Sequence, residues 1–173
     1  MVLLLVGAAF LFNGLVRRRN RVDATWSDVE VLLKRRHDLV PNLVSSVQGY
    51  AAHESATFQA VAGARAAAMN ASGPQSAGQA ETQLSQGVKS LLAVAEGYPQ
   101  LKASAAFIDL QQKLTSTEDG LEHARQFYND SVYGYNNAVQ TLPGALLAGP
   151  LGFRPRQFFQ ASAGEKTAIS VRP

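Results

Sequence analysis

The sequence predicts an all-α protein: an N-terminal transmembrane helix that continues into a four-helix, up-and-down bundle of long antiparallel helices, followed by an irregular tail. Three observations support this prediction. Apolar residues recur at alternating steps of four and three, which keeps side chains on one helical face. The first 16 residues contain no charged side chain. Asn, Gly and Pro residues that stop helices separate the periodic stretches.

Composition favours one domain plus an anchor. The chain has 173 residues, 46% hydrophobic and 17% charged, which is enough to bury a core. It has no cysteine, which excludes disulfides, thiolate metal sites and a cysteine nucleophile. Four positive charges form a basic collar, so the net charge of +3 becomes −1 for the rest of the chain; they are Arg17, Arg18, Arg19 and Arg21. A nearly neutral body does not resemble a nucleic-acid-binding surface, and no nucleic-acid partner is expected.

We predict four segments: a transmembrane anchor at 1–16, the juxtamembrane collar at 17–21, the helical bundle at 22–142 and the irregular tail at 143–173. At about 1.5 Å per residue the anchor reaches roughly 24 Å, a little less than the hydrocarbon core of roughly 30 Å. Arginines of the collar can snorkel to the headgroups, where we expect the collar to lie.

The position of the charges distinguishes the anchor from its alternatives and orients it. A cleaved signal peptide is the main alternative, but its positive charges would precede the apolar run, and here they follow it. A core helix of a soluble protein is the weaker alternative. The positive-inside rule then predicts an inner-membrane protein with its N-terminus outside and its bundle in the cytoplasm.

The first bundle helix carries an apolar row with one charged member. Pro41 lies within the row without shifting its phase, which predicts a kink rather than a break, and Pro41 together with Asn42 suggests that a side chain satisfies the freed backbone groups. The row comprises Val22, Trp26, Val29, Leu33, Arg36, Val40, Leu43, Val47 and Tyr50.

Three further helices follow. The second is short and ends at the Asn, Gly and Pro residues of 70–74. Ser76 and Gln79 form a capping box that is predicted to open the third. The fourth is predicted from Leu101 to about Thr141. Their rows comprise Phe58, Val61, Arg65 and Ala68, then Leu84, Val88, Leu91, Ala95 and Tyr98, and finally Leu114, Glu118, Leu121, Arg125, Tyr128, Val132, Tyr135, Val139 and Leu142.

The tail contains aromatic residues despite its lack of helical period. An up-and-down bundle returns its last helix toward the membrane, which places Phe153, Phe158 and Phe159 near the start of the first helix. Two alternatives follow for these three residues. They contact lipid headgroups, or they cover the end of the bundle.

Charged residues within apolar rows are the most unusual feature of the sequence. They are Arg36, Arg65, Glu118 and Arg125. An unpaired buried charge is costly, so we predict that Glu118 pairs with at least one of the arginines. The group would fix the register of the helices, as single polar residues do in coiled coils. A pocket for a small anionic ligand is the alternative.

The sequence contains no motif for catalysis or for a bound metal or cofactor. Two-metal sites in four-helix bundles need Glu-x-x-His pairs, whereas His37, His53 and His123 are scattered and outside such pairs. Gly-x-Ser-x-Gly and His-Glu-x-x-His are absent from the sequence. We therefore expect no catalytic residues, no cofactor and no metal.

Several strings, in order along nearly the whole chain, resemble one family. They are FNGLVRRRNRVDATWSDVEVLLKRRHDLVPNLVSSVQGYAAHE, AEGYPQLKA, TEDGLEHARQFYNDSVYGYNNAVQTLP, and a GF pair followed by FFQ. They resemble the LemA family of bacterial membrane-anchored helical proteins. The resemblance implies an N-terminal transmembrane helix, a short outer N-terminus and a four-helix bundle, with no established biochemical activity.

We therefore expect a single-pass membrane protein that acts as a scaffold or protein-interaction module. Its partners would be the lipid bilayer and either another protein or further copies of itself. A membrane-tethered sensor that binds a small anion at the core arginines is the alternative, and an enzyme is the weakest interpretation.

Overall fold

The computed structural model describes residues 2–160, and in this part of the chain the fold is all-α, as predicted. The four long helices are α1 (Val2–Gln48), α2 (Ser55–Asn70), α3 (Pro74–Glu96) and α5 (Ala105–Gln140). The two short ones are α4 (Pro99–Lys102) and α6 (Gly144–Ala148). Met1 of the predicted anchor and residues 161–173 of the predicted tail lie outside the described residues.

Helix α1 joins the apolar segment, the collar and the first bundle helix in one continuous element of 47 residues. It passes through Pro41 without a break, in agreement with the uninterrupted spacing. One backbone hydrogen bond must be missing at this point. A regular helix needs an amide proton on residue 41 for the carbonyl of His37, and proline has none.

Over residues 2–160, none of the helices is both long enough and apolar enough to cross a membrane. The predicted transmembrane helix at 1–16 is not supported by this finding.

Helices α2 and α3 pack against each other as a hairpin, joined by residues 71–73. Gly73 has a φ of 80°, a conformation that favours glycine. Pro74 follows at the start of α3, where a missing amide proton costs nothing. The prediction that a capping box at Ser76 begins this helix is therefore wrong. Because only residues 71–73 separate the two helices, α3 begins at Pro74, directly after the residues that end α2.

The predicted fourth helix is divided. Helix α4 forms a single turn that buries Leu101, and the amide of Ala103 closes it on the carbonyl of Pro99 at 3.0 Å. The carbonyl of Ser104 then accepts the first bond of α5, from the amide of Ile108 at 3.0 Å. Serine suits such a position because it favours the boundary of a helix over its interior.

The tail differs from the prediction at its start. Residues 144–148 form helix α6, which buries Gly144 and Ala148. The chain is irregular from there to residue 160. Five residues are too few for the periodicity that identifies a helix in sequence, which explains why α6 was not predicted.

The described chain divides into two compact units. Within the described residues, unit 1 comprises 2–31 and Leu121–Phe158, and unit 2 comprises Leu32–Gly120 and 159–160. Helices α1 and α5 each contribute to both units. The predicted segments 1–16, 17–21, 22–142 and 143–173 follow hydropathy and charge rather than compactness, and they stay predictions.

The predicted apolar rows supply most of the buried residues in each unit. Tyr50 and Leu142 are exposed, contrary to the prediction, because α1 and α5 end before them. Unit 1 buries Leu15, Val22, Val29, Leu121, Tyr128, Val132, Tyr135, Val139, Ala148 and Phe153. Unit 2 buries Leu33, Val40, Leu43, Val47, Ala51, Phe58, Val61, Ala68, Leu84, Val88, Leu91, Ala95, Leu101, Phe107 and Leu114.

Candidate functional site

Unit 2 contains a buried charge cluster that joins α1, α3 and α5. At its centre Arg36 of α1 is 1% exposed, and its Nη1 pairs with the carboxylate of Glu81 on α3, which is equally buried. The other terminal nitrogen donates to Ser85 Oγ at 2.7 Å. Nε lies 2.7 Å from Glu118 Oε1 on α5, at an angle too bent for a hydrogen bond, so this contact is an ion pair.

His37 completes the cluster on the same carboxylate. Its Nε2 lies 2.5 Å from the second oxygen of Glu81, Oε1, and the histidine side chain is buried. Both carboxylate oxygens of Glu81 are therefore engaged by neighbouring residues of α1. Such full engagement is what allows a charge to remain inside a helical core.

The surroundings of Glu81 act on its pKa in opposite directions. Burial is the largest influence and raises the pKa. The hydrogen bond to His37, the charges of Arg36 and His37 and the hydrogen bond from Arg36 lower it, and together they outweigh burial. The pKa of Glu81 therefore lies below its ordinary value of 4.5, and this carboxyl group is ionised at neutral pH.

We expect this cluster to lose its stabilising effect in acid. A depressed pKa in the folded state contributes stability above the unfolded pKa of about 4.5, and the contribution disappears as pH falls through the lower folded value. The groups around Glu81 are Arg36 and His37 of α1 and, through Arg36, Glu118 of α5. Urea unfolding at pH 7 and below pH 4.5 should show a smaller decrease in Glu81→Gln than in the parent chain. Equal decreases in both would contradict the prediction.

Arg65 of α2 has a different role, which is linked to Pro41. Its Nε donates to the backbone carbonyl of His37 at 2.7 Å. This is the carbonyl that Pro41 leaves without its helical donor. The sequence predicted that a side chain would satisfy the freed group, and the structure assigns that role to an arginine from another helix.

A double-mutant cycle should measure this replacement of a backbone bond by a side chain. Arg65→Met is expected to lower the free energy of unfolding by about 1–3 kcal/mol, because it leaves a shielded carbonyl unsatisfied. In a Pro41→Ala background the amide of residue 41 can bond to His37, so the same change should cost less than about 1 kcal/mol. Thermal and urea unfolding of the four chains measure the difference. An equal cost in both backgrounds would show that Arg65 acts by other means.

The structure thus brings together two of the four predicted core charges. Arg36 contacts Glu118, and Arg65 contacts the neighbouring residue of α1 through its carbonyl. Arg125 is half-buried on the part of α5 that belongs to unit 1. Sequence reasoning missed Glu81, the residue that holds the cluster together. A signal was present, because Glu81 precedes Leu84 by three residues and extends the apolar row of α3.

The collar lies in unit 1 and is exposed. Arg18 Nη1 lies 3.4 Å from the carbonyl of Gly134 on α5, as a long hydrogen bond. Arg19 stacks over the ring of Phe153, with 5.4 Å between its guanidinium carbon and the ring centroid. The ring of Phe12 meets Phe153 edge to face at 5.8 Å. The collar is thus partly ordered by contacts within unit 1.

Burial separates the three tail aromatics. Phe153 is buried in unit 1, Phe159 is buried in unit 2, and Phe158 is 36% exposed. The first two have almost no surface left for a lipid headgroup, which corrects the predicted membrane contact for them. Their burial favours the alternative, in which tail aromatics cover the helices.

Helices α1 and α5 hold the tail of unit 1 by polar contacts. The amide of Asn136 bonds to the backbone of Arg156 twice, at 2.9 Å and 2.7 Å. Arg156 Nη2 lies 2.9 Å from Asp23 Oδ1. The hydroxyl of Tyr128 donates to the carbonyl of Gln157 at 2.7 Å. Burial, opposed by Arg156 and aided by Asp23, raises the pKa of Tyr128 to about 12, so this donor stays protonated.

Among residues 2–160 no group of three or more His, Asp or Glu side chains is arranged to hold a metal ion. Fold and site together define a helical bundle protein with a buried polar cluster that links its helices. The profile of the LemA family matches residues 25–172, and the chain belongs to this family. The predicted family resemblance is therefore confirmed. The match begins downstream of the apolar segment and the collar.

Curated relatives of this chain come from two species. Magnetosome proteins MamQ 1 and MamQ 2 of Paramagnetospirillum magneticum are each 26% identical to it over 184 residues. Magnetosome protein MamQ of Magnetospirillum gryphiswaldense is 25% identical over the same length. Each comparison covers 91% of this chain and 68% of the relative.

Proposed function

We propose that this protein is a membrane-attached, non-catalytic helical scaffold. The apolar N-terminal end of α1 inserts into a lipid bilayer, and the helical units bind another protein or a second copy of the chain. The observation that carries the proposal is an exposed apolar surface on the first turns of α1, directly followed by the exposed collar.

The apolar surface lies where an inserted helix would need it. Leu3 is 86% exposed and Phe10 is 70% exposed. No charged residue lies between either of them and the collar. An apolar patch of this kind on a folded chain marks a surface for a membrane or a partner. Among the residues of this stretch whose side chains the structure describes, the exposed large apolar ones are Val2, Leu3, Val6, Phe10 and Phe12.

The collar supplies the second argument, since it favours lipid over protein as the partner of this end. Basic residues next to an apolar helix are attracted to anionic headgroups and stay on the cytoplasmic side of the membrane. We extend the proposal accordingly. The N-terminus faces outward at the inner membrane, and the parts of the two units that follow the apolar segment face the cytoplasm.

The alternative role, a sensor that binds a small anion at the core arginines, gains no support from the site geometry. The guanidinium of Arg36 is directed at Glu81, Ser85 and Glu118. Arg65 is directed at a backbone carbonyl. An anion would have to displace carboxylates that are already in place, so we assign the cluster to helix register.

Flotation of the full chain with zwitterionic vesicles tests the attachment. Phe10→Asp places a charge in the apolar segment and is expected to reduce the vesicle-bound fraction at least about tenfold, because a buried aspartate costs roughly 3 kcal/mol. Tyr133→Asp is the matched control, since Tyr133 is 68% exposed on α5, outside the segment. Equal vesicle binding by the two variants would exclude insertion through this end of α1.

Partner binding needs a separate experiment. Crosslinking of the chain in native membranes, followed by mass spectrometry, should yield repeated crosslinks to one protein or between copies of the chain. A chain that is crosslinked to neither would contradict the scaffold role while leaving the attachment intact.

A further inference from the structure

Unit 1 contains an open groove of about 590 Å³ between α1 and α5. The α1 wall carries three arginines of the collar, and the α5 wall carries a carboxylate and two hydroxyl groups. These side chains belong to Arg17, Arg18, Arg21, Asp130, Ser131 and Tyr135. A volume of this size accommodates a small-molecule headgroup.

A second groove of about 390 Å³ continues from the first and shares Gly14, Arg18 and Gly134 with it. Its walls lie toward the N-terminal end of α1 and combine apolar residues with the polar side chains of Asn137 and Thr141. They include Phe10, Leu11, Leu15, Ala138 and Leu142. The two grooves together form one channel-like surface, the α1–α5 groove, which is basic at one end and apolar at the other.

Charge in the basic part is unbalanced. Three guanidinium groups face one carboxylate, and in the described part of the chain no ion pair joins Asp130 to any of them. Arginine is the side chain best suited to phosphate, because its planar fork donates two parallel hydrogen bonds. This end of the groove therefore has the chemistry of a phosphate site.

We propose that the α1–α5 groove binds one anionic phospholipid, with the phosphate at the arginines and an acyl chain along the apolar part. Residues 10–21 of α1 span roughly 16 Å, about the length of a headgroup plus the upper part of a chain. The α1 side of the apolar part is lined by Phe10, Leu11 and Leu15, which belong to the apolar segment that we propose to insert into the membrane. The inference rests on that attachment, because a lipid ligand must be delivered from a bilayer.

Two glycines keep the groove open. A Cβ on Gly14 would meet nothing within 4 Å, and a Cβ on Gly134 would meet only Arg18 Nη1, at 3.5 Å. A leucine at either position would therefore fill the groove without displacing the backbone. It would also improve helix propensity, since glycine is about 1 kcal/mol less favourable than alanine inside a helix. Both variants are expected to fold.

The test uses the full chain in a neutral detergent and isothermal titration calorimetry. Three probes separate the sources of phosphate: short-chain phosphatidylglycerol, short-chain phosphatidylcholine and glycerol 1-phosphate. Phosphatidylglycerol should bind at least about tenfold more tightly than the other two. Gly134→Leu, and separately Arg17→Gln with Arg21→Gln, should weaken this binding at least about tenfold. Arg154→Gln, an exposed arginine outside the groove, should change it less than about twofold.

Three results would overturn the proposal. Equal binding of the two lipids would exclude an anion-selective site. Equal binding of glycerol 1-phosphate and phosphatidylglycerol would indicate a free-phosphate site with no lipid role. Full binding by both Gly134→Leu and Gly14→Leu, with unchanged helical content by circular dichroism, would place the ligand elsewhere. Flotation with zwitterionic vesicles tests attachment separately, so a failure of lipid binding in the groove can be distinguished from a failure of attachment.

Discussion

Replacing Glu81 by alanine is expected to lower the free energy of unfolding by about 3–5 kcal/mol, the usual cost of removing one partner from a buried ion pair. The loss leaves Arg36 inside unit 2 with its main counter-charge gone, and it also removes the partner of His37. Urea unfolding followed by circular dichroism measures the change. Because few domains exceed about 15 kcal/mol of stability, a loss of this size would clearly lower the urea concentration at the unfolding midpoint.

Two control variants make the result specific to the buried pair. Glu118→Gln removes the other carboxylate that contacts Arg36, but Glu118 is 37% exposed, so solvent screening should keep its cost within about 1 kcal/mol. Arg36→Met combined with Glu81→Leu removes both buried charges and should recover much of the loss. If Glu118→Gln proved as harmful as Glu81→Ala, Glu81 would not be the main counter-charge of Arg36.

The second large effect concerns packing in unit 2. Phe107→Ala is expected to cost about 3–5 kcal/mol, because it removes a fully buried aromatic ring and leaves a cavity. Phe127→Ala provides a matched control on the same helix, α5. Phe107 is 1% exposed and Phe127 is 65% exposed, so the control should cost less than about 1 kcal/mol. Thermal unfolding distinguishes them, and similar melting temperatures would mean that Phe107 is not a core residue.

The helices were predictable from sequence because their signals are local. Alternating steps of four and three identified the rows of α1, α2, α3 and α5, and burial confirms most of their members. The positions of the helix ends were predicted less accurately. The spacing of apolar residues continues past a boundary such as Ser104, whereas the backbone bonds that end a helix leave no trace in that spacing.

The charge cluster was predictable only in part, because its contacts join distant residues. The sequence shows that Arg36 needs a counter-charge, but Glu81 is 45 positions away on another helix. The same applies to Arg65 and the carbonyl of His37, 28 positions apart. Periodicity states which face a residue occupies and does not state which residue lies opposite. Counter-charges therefore have to be sought along whole apolar rows, including their ends.

The α1–α5 groove had no sequence signal beyond its arginines. Gly14 and Gly134 are ordinary glycines in helical stretches, and only the packing of α1 against α5 in unit 1 turns them into the floor of an open surface. A groove is a property of what two elements leave unfilled. An amino-acid sequence read residue by residue does not show this unfilled space.

The contact between Arg65 and the carbonyl beside Pro41 has an evolutionary consequence. A proline at position 41 is harmful in a chain whose position 65 lacks a donor, whereas an arginine at position 65 is tolerable whether or not the proline is present. The arginine should therefore have been acquired first, and lineages that lose it should already have lost the proline. Reconstructed ancestors of this chain would reveal that order of substitution.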